Sequence, residues 1–121
     1  MVLVTANVAR QLVLLTFIGH VRAAELVGSQ DELTAILSQM SAGFTLVTDL
    51  TSLEQLDKDC VEQIAHSMDL CNQRGVGSII RIIPDSSKDI GFSILSVFHY
   101  SQRPRTVTCK SMIEAGRALG F

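Results

Sequence analysis

Acidic side chains gather in one short stretch of the chain, residues 48–60 (TDLTSLEQLDKDC), at Asp49, Asp57 and Asp59. Two carboxylates held in one pocket can act as general acid and general base, because burial and mutual repulsion separate their pKa values. The sequence supplies no sign of such a pocket. We therefore expect no catalytic residues here and a chain that is not an enzyme.

The same stretch joins an apolar strand to the start of a helix, where an aspartate has a structural use. With Asp59 as N-cap, its side chain would accept a hydrogen bond from the backbone N–H of Glu62, and Glu62 could reach back. Such a cap is worth about 1 kcal/mol, and negative charge also complements the helix dipole. A cap explains Asp59 and Glu62, and a surface for a partner protein is the alternative.

The cysteines and histidines do not form a metal-binding or redox pattern. Cys60, Cys71 and Cys109 are odd in number, and their spacing fits neither a zinc site nor a CxxC pair. They are predicted to be reduced, mostly buried thiols. Cys60 at a helix start could be a nucleophile, but the neighbouring acids oppose its thiolate. Since the histidines lack the spacing of a helical metal site, we expect no metal and no cofactor.

Length and hydropathy indicate one domain spanning residues 1–121. Hydrophobic residues make up 47% of the chain, yet every apolar run is far shorter than the roughly 18 residues that a membrane span needs. The first residues, MVLVTANVARQ, lack the basic and apolar regions of a signal peptide. We expect a soluble, cytoplasmic protein.

Charge is unevenly distributed, although the formal net charge is only −2. Residues 25–69 hold nine acids against Lys58 alone, whereas residues 72–121 hold seven bases against three acids. This asymmetry suits an acidic docking face or self-complementary packing. Nucleic acid is not an expected partner, because the bases are scattered and only one Tyr and five Phe could stack on nucleobases.

Hydrophobic periodicity predicts strands that alternate with helices after an initial hairpin. The predicted elements are strands at 2–8 and 12–18, a helix at 23–40, a strand ending at Asp49, a helix ending at Gly75, a strand at 78–83, a helix at 88–98, a strand at 105–109 and a helix capped by Ser111. Because Gly28 weakens the first helix, a start at Ser29 is the alternative. The order predicts a mixed α/β sheet of about five strands with an N-terminal β-hairpin, flanked by four helices.

This order, with a strand ending in Asp49 and a helix opening around LDKDC, resembles the STAS family of anti-sigma-factor antagonists. The resemblance covers nearly the whole chain. It implies a STAS-like domain in bacterial signalling, whose partner is a protein such as an anti-sigma factor or a kinase-like protein. The segments GFTLVTDLTSL, RIIPD and DIGFSILSVFHY look like those of stand-alone bacterial members.

In the STAS family a DSSG-like turn opens the helix, and a partner kinase phosphorylates its second serine. Matched to this motif, Asp57 stands at the acid, Lys58 and Asp59 at the two serines, and Cys60 at the glycine. Neither serine is present. The resemblance therefore implies a partner-binding surface at Asp57, Lys58, Asp59, Cys60 and Glu62, with fixed negative charge in place of a phosphoryl group. Phosphorylation at nearby Thr51 or Ser52 is the alternative.

The segment from Ile90 to Tyr100 has more apolar residues than one helical face can bury. Surplus apolar side chains indicate a contact with another chain or with a ligand, although core packing is a third use. We expect a homodimer contact or a ligand surface that includes Phe92, Leu95, Phe98 and Tyr100. Binding of a small apolar molecule or lipid is thus the alternative function.

Overall fold

The computed structural model describes residues 1–84 and 105–120 of the chain. Within these ranges there are five strands and three helices. The strands are β1 (Val2–Asn7), β2 (Leu12–Val21), β3 (Thr45–Leu56), β4 (Ser78–Ile82) and β5 (Arg105–Cys109), and the helices are α1 (Ala23–Leu37), α2 (Cys60–Arg74) and α3 (Met112–Ala118). The predicted helix at 88–98 lies outside the described residues.

All five strands form one mixed sheet in the order β1-β2-β3-β4-β5. β1 and β2 form an antiparallel hairpin, whereas β2, β3, β4 and β5 are parallel neighbours. The predicted mixed sheet and its N-terminal hairpin are confirmed. Since β2 leads into α1 and β3 leads into α2, both helices begin at the edge of the sheet where the parallel strands end.

Helices cover both faces of the sheet. α1 and α2 pack against each other on one face, and the core beneath them includes Leu33, Ile64 and Ile79. α3 packs on β4 and β5, where Ala115 lies in a smaller buried cluster with Ile80. Neighbouring residues of β4 thus enter different clusters, as the alternation of side chains along a strand requires.

α1 begins at Ala23, so the alternative start at Ser29 is wrong. The helix passes through Gly28, and Ser29 lies buried inside it rather than capping it. The hydroxyl of Ser29 donates to the carbonyl oxygen of Leu26 at 2.8 Å. Burial of the α1 face against the sheet therefore outweighs the local preference of Ser29 for a helix start.

β3 is longer than the sequence predicts, because it continues past Asp49 to Leu56. Its pairing with β2 shifts register between Thr16 and Ile18 and again between Gly19 and His20, each time with one extra residue on β3, as at a β-bulge. Oδ1 of Asp49 accepts a hydrogen bond from the backbone N–H of Thr51 at 2.9 Å. The polar residues after Asp49 thus extend the strand, with the Asp49 carboxylate bonding to the bulged backbone.

The carboxyl end of α2 is fastened to the segment that precedes β3. Gly75 ends the helix in the left-handed region at φ 89°, and its carbonyl oxygen accepts from the N–H of Gly43 at 2.7 Å. A side-chain carbon on Gly77 would lie 2.8 Å from Cα of Gly43, closer than a real contact allows. Glycine at 77 is required because two backbones meet there.

Candidate functional site

The turn between β3 and α2 is built mainly from backbone hydrogen bonds. The N–H of Asp57 donates to the carbonyl oxygen of Val21, the residue that ends β2. The N–H groups of Cys60 and Val61 then donate to the carbonyl oxygens of Asp57 and Lys58, at 3.0 and 3.3 Å. This places the first turn of α2 directly beside the end of β2.

The predicted capping role of Asp59 is wrong. Asp59 is the N-cap residue, but its backbone has helical angles, φ −71° and ψ −8°, and its side chain makes no capping hydrogen bond. An N-cap side chain reaches the helix N–H groups from an extended backbone, which Asp59 does not have. By contrast, Ser111 has φ −149° and ψ 162°, and its hydroxyl accepts from the N–H of Glu114 as predicted.

The side chain of Asp57 contacts His20, a residue 37 positions earlier in the chain. Nε2 of His20, near the end of β2, lies 2.6 Å from Oδ1 of Asp57. The side chains are 36% and 34% exposed. Parallel pairing aligns His20 with Gln55, two residues before Asp57, and so brings the two side chains together. The contact holds the β3–α2 turn against β2.

Cys60 lies inside the core, although the resemblance placed it on the predicted surface. Its side chain has no exposed area, and Sγ donates to the carbonyl oxygen of Val21 at 3.5 Å. Burial raises the pKa of the Cys60 thiol, and the charges of Asp59 and Asp57 raise it further. Cys60 therefore anchors the start of α2 and is a poor nucleophile. Cys71 and Cys109 are also free and buried, as predicted.

Four residues at the start of α2 present their side chains to solvent. Lys58, Asp59 and Glu62 are exposed, and Val61 is 42% exposed. We call Lys58, Asp59, Val61 and Glu62 the α2-start surface. It combines one apolar side chain with one positive and two negative charges, on a helix end whose position is fixed by the core.

The other surface predicted from the sequence, at Phe92, Leu95, Phe98 and Tyr100, lies outside the described residues. A cavity of about 280 Å³ is found at the opposite edge of the sheet from the α2-start surface, where β3, β4 and β5 begin. Its lining mixes polar and apolar residues: Thr45, Ser78, Ile79, Ile80, Arg105, Val107, Ala118 and Leu119.

Within residues 1–84 and 105–120, no three or more His, Cys, Asp and Glu side chains are grouped so that they could hold a metal ion. In the same part of the chain, no helix is both long and apolar enough to cross a membrane.

Solved structures with the same architecture share little sequence with this chain. The anti-sigma factor antagonist SpoIIAA in its unphosphorylated form matches 100% of both chains, with a TM-score of 0.67 at 13% identity. The chain has the STAS fold. SpoIIAA of Bacillus in its phosphorylated form matches 98% of this chain and 99% of its own, with a TM-score of 0.64 at 15% identity.

A third solved structure extends the STAS likeness beyond SpoIIAA. An anti-sigma factor antagonist from Mycobacterium paratuberculosis matches 100% of this chain and 94% of its own, with a TM-score of 0.58 at 15% identity. No family model and no curated protein matches the sequence. At this level of identity the likeness shows a shared STAS fold.

Proposed function

We propose that this chain is a non-enzymatic regulatory module that binds a protein partner through the α2-start surface. The observation that carries the proposal is the exposure of Lys58, Asp59, Val61 and Glu62 around the buried anchor Cys60. Because the Asp59 side chain makes no capping hydrogen bond, its exposed carboxylate can bond to a partner instead. The solved neighbours support the proposal, because they are anti-sigma factor antagonists, among them SpoIIAA.

The charge of this surface is proposed to be fixed. Lys58 and Asp59 occupy the positions that the STAS resemblance assigns to two serines, of which the second is phosphorylated. A phosphoserine carries about −1.5 to −2 charges at neutral pH, and Asp59 supplies −1 permanently. The partner would therefore bind without control by a kinase at this turn. Thr51 and Ser52 are exposed on β3 and are the nearby hydroxyls at which phosphorylation could still act.

The chemistry of the surface defines the partner it fits. Asp59, the N-cap residue with helical backbone angles, and Glu62 are three positions apart and so lie on one side of the helix start. There they can accept hydrogen bonds from an arginine or lysine of the partner. Exposed Val61 offers a small apolar contact between charged groups. We infer a partner surface with basic side chains around an apolar centre, as an anti-sigma factor or kinase-like protein could present.

Native mass spectrometry of the chain purified gently from its own host tests this proposal. We expect a hetero-complex with one protein, absent when the charges are reversed in Asp59→Arg/Glu62→Arg. The matched control is Asp31→Arg/Glu32→Arg, two exposed acids of α1, which should retain the complex. A complex of equal abundance in both double variants would contradict the proposed surface.

Binding of a small apolar molecule is a second candidate, favoured by the cavity where β3, β4 and β5 begin. Its volume of about 280 Å³ is close to the lower end of the range for ligand pockets, roughly 300 Å³. The same mass spectra test it, because a bound ligand would add a constant mass to the isolated chain. A chain of unmodified mass in every preparation would contradict this second candidate.

A further inference from the structure

Within residues 1–84 and 105–120, β1 is an edge strand that lacks the usual protection against pairing. It lies at one end of the strand order and bonds to β2 on one side. Its sequence, VLVTAN, contains no charged residue, no proline and no glycine, and its register with β2 is continuous from Val2 to Asn7. Proteins normally block such edges with charges, proline or bulges. The opposite edge strand, β5, begins with Arg105 and is followed by Lys110.

The outward backbone groups of β1 can be assigned from its pairing. The N–H of Ile18 donates to the carbonyl oxygen of Met1, so Met1 bonds towards β2. Bonding direction alternates along an antiparallel strand. Val2, Val4 and Ala6 therefore direct three N–H groups and three carbonyl oxygens away from β2, to the edge of the sheet.

We propose that β1 pairs with β1 of a second copy of this chain, antiparallel about a twofold axis at Val4. In this register Val4 pairs with Val4 of the second copy, and Val2 pairs with Ala6. All six outward backbone groups are then bonded, and the two sheets join into one of ten strands. A twofold axis makes the strand its own complement, because the same three residues supply the donors and acceptors on both copies.

The side chains of β1 are compatible with this pairing. Leu3 is 43% exposed, and Thr5 and Asn7 on the same side of β1 are exposed. In the proposed register Leu3 lies opposite Thr5 of the second copy, so an exposed apolar side chain gains a β-branched neighbour. No charged side chain of β1 would lose water. The α2-start surface lies beyond the end of β3, two strands away, so both surfaces can be used at once.

Cysteine cross-linking tests the register. Leu3 and Thr5 of the second copy form a non-hydrogen-bonded pair, with Cα atoms about 4.5 Å apart, within the range that a disulfide spans. Mixing Leu3→Cys with Thr5→Cys under mild oxidation should give a cross-linked heterodimer, whereas either variant alone should not cross-link. Leu3→Cys mixed with Ile113→Cys, an exposed residue of α3, is the control. Equal cross-linking in all mixtures would overturn the proposal.

Sedimentation velocity tests the dimer without cross-links. We expect the wild-type chain to change from monomer to dimer as its concentration rises. Leu3→Lys/Thr5→Lys should remain a monomer at every concentration, because the register places lysines opposite one another. The control Met112→Lys/Ile113→Lys introduces the same charges on exposed residues of α3 and should still dimerise. A wild-type chain that stays a monomer at the highest concentration in solution would also overturn the proposal.

Discussion

The two ends of α2 differ in how their polar groups are used. At the carboxyl end, the guanidinium of Arg74 donates to the carbonyl oxygens of Leu37, Ser38 and Met40 at 2.8 to 3.2 Å, and so caps α1. Gly75 then ends α2 in the left-handed conformation. These groups are bonded within the fold, so the residues at the carboxyl end of α2 serve the stability of the protein.

At the amino end, polar groups face solvent instead. Asp59 makes no capping bond, and Lys58 and Glu62 are exposed. The buried side chain of Cys60 and the contact between His20 and Asp57 hold this turn in place. The polar groups at the carboxyl end of α2 thus bond within the fold, whereas those at the amino end are held in place by the fold and remain exposed. Variants at the two ends should therefore separate stability from binding.

The largest expected loss of stability is at the carboxyl end, in Gly77→Ala. Its new methyl group would meet Cα and the carbonyl oxygen of Gly43 at 2.8 Å, and a backbone cannot move aside as a flexible side chain does. We expect the free energy of unfolding to fall by about 3 kcal/mol. The control Gly28→Ala has no atom within 4 Å and should gain about 0.5 kcal/mol. Urea unfolding measures both, and equal effects would contradict the close approach.

Arg74→Met removes the cap that α2 places on α1 but keeps an apolar stem. Three hydrogen bonds from a charged group to carbonyl oxygens are lost. Because water can replace part of them, we expect unfolding to become easier by about 2 kcal/mol. Arg117→Met, at an exposed residue in the last turn of α3, should change stability by less than about 0.5 kcal/mol. Similar losses in both variants would contradict the capping role.

The thiol in the last turns of α2 predicts a pH dependence. Burial raises the pKa of Cys71 from 9.0 to about 12, so the native chain keeps this proton where the unfolded chain loses it. The contribution of the Cys71 thiol to the free energy of unfolding is complete below pH 9 and is lost as the pH rises from 9 to about 12. Cys71→Ala should remove about 1.4 kcal/mol of the stability loss between about pH 8 and about pH 10. Unchanged pH profiles in urea unfolding would contradict this.

The smallest expected stability effect is at the amino end of α2. Since the Asp59 side chain caps nothing, Asp59→Ala should change the free energy of unfolding by less than about 0.5 kcal/mol. Ser111→Ala removes a real cap on α3 and should lower stability by about 1 kcal/mol. Thermal and urea unfolding compare the two N-caps directly. A loss of unfolding free energy in Asp59→Ala as large as in Ser111→Ala would show that Asp59 stabilises the fold as a cap does.

The sequence predicts most of the sheet because each strand and helix has a clear local signal. The hairpin follows from two apolar runs, and the ends of α2 and α3 follow from Gly75 and Ser111. The extension of β3 past Asp49 could not be predicted, because its polar residues are kept in the strand by pairing with β2 across two register shifts. Such shifts depend on the pairing between two strands and not on the residues of β3 alone.

The candidate site is less predictable than the fold, because its geometry depends on distant residues. His20 and Asp57 are 37 residues apart and meet only after β2 and β3 pair in parallel. The backbone angles of Asp59 follow from the turn before it, which composition does not reveal. His20 follows an apolar run, but Asp57 follows a polar stretch of β3, so no local pattern links the two residues.

The most direct test of the partner-binding claim is a binding titration of the captured partner with the wild-type chain, Asp59→Asn and Asp59→Ser, alongside their unfolding free energies. We expect both variants to lose about tenfold in affinity, or 1.4 kcal/mol, while stability changes by less than about 0.5 kcal/mol. Unchanged affinity in both variants would contradict a role for the Asp59 charge in partner binding.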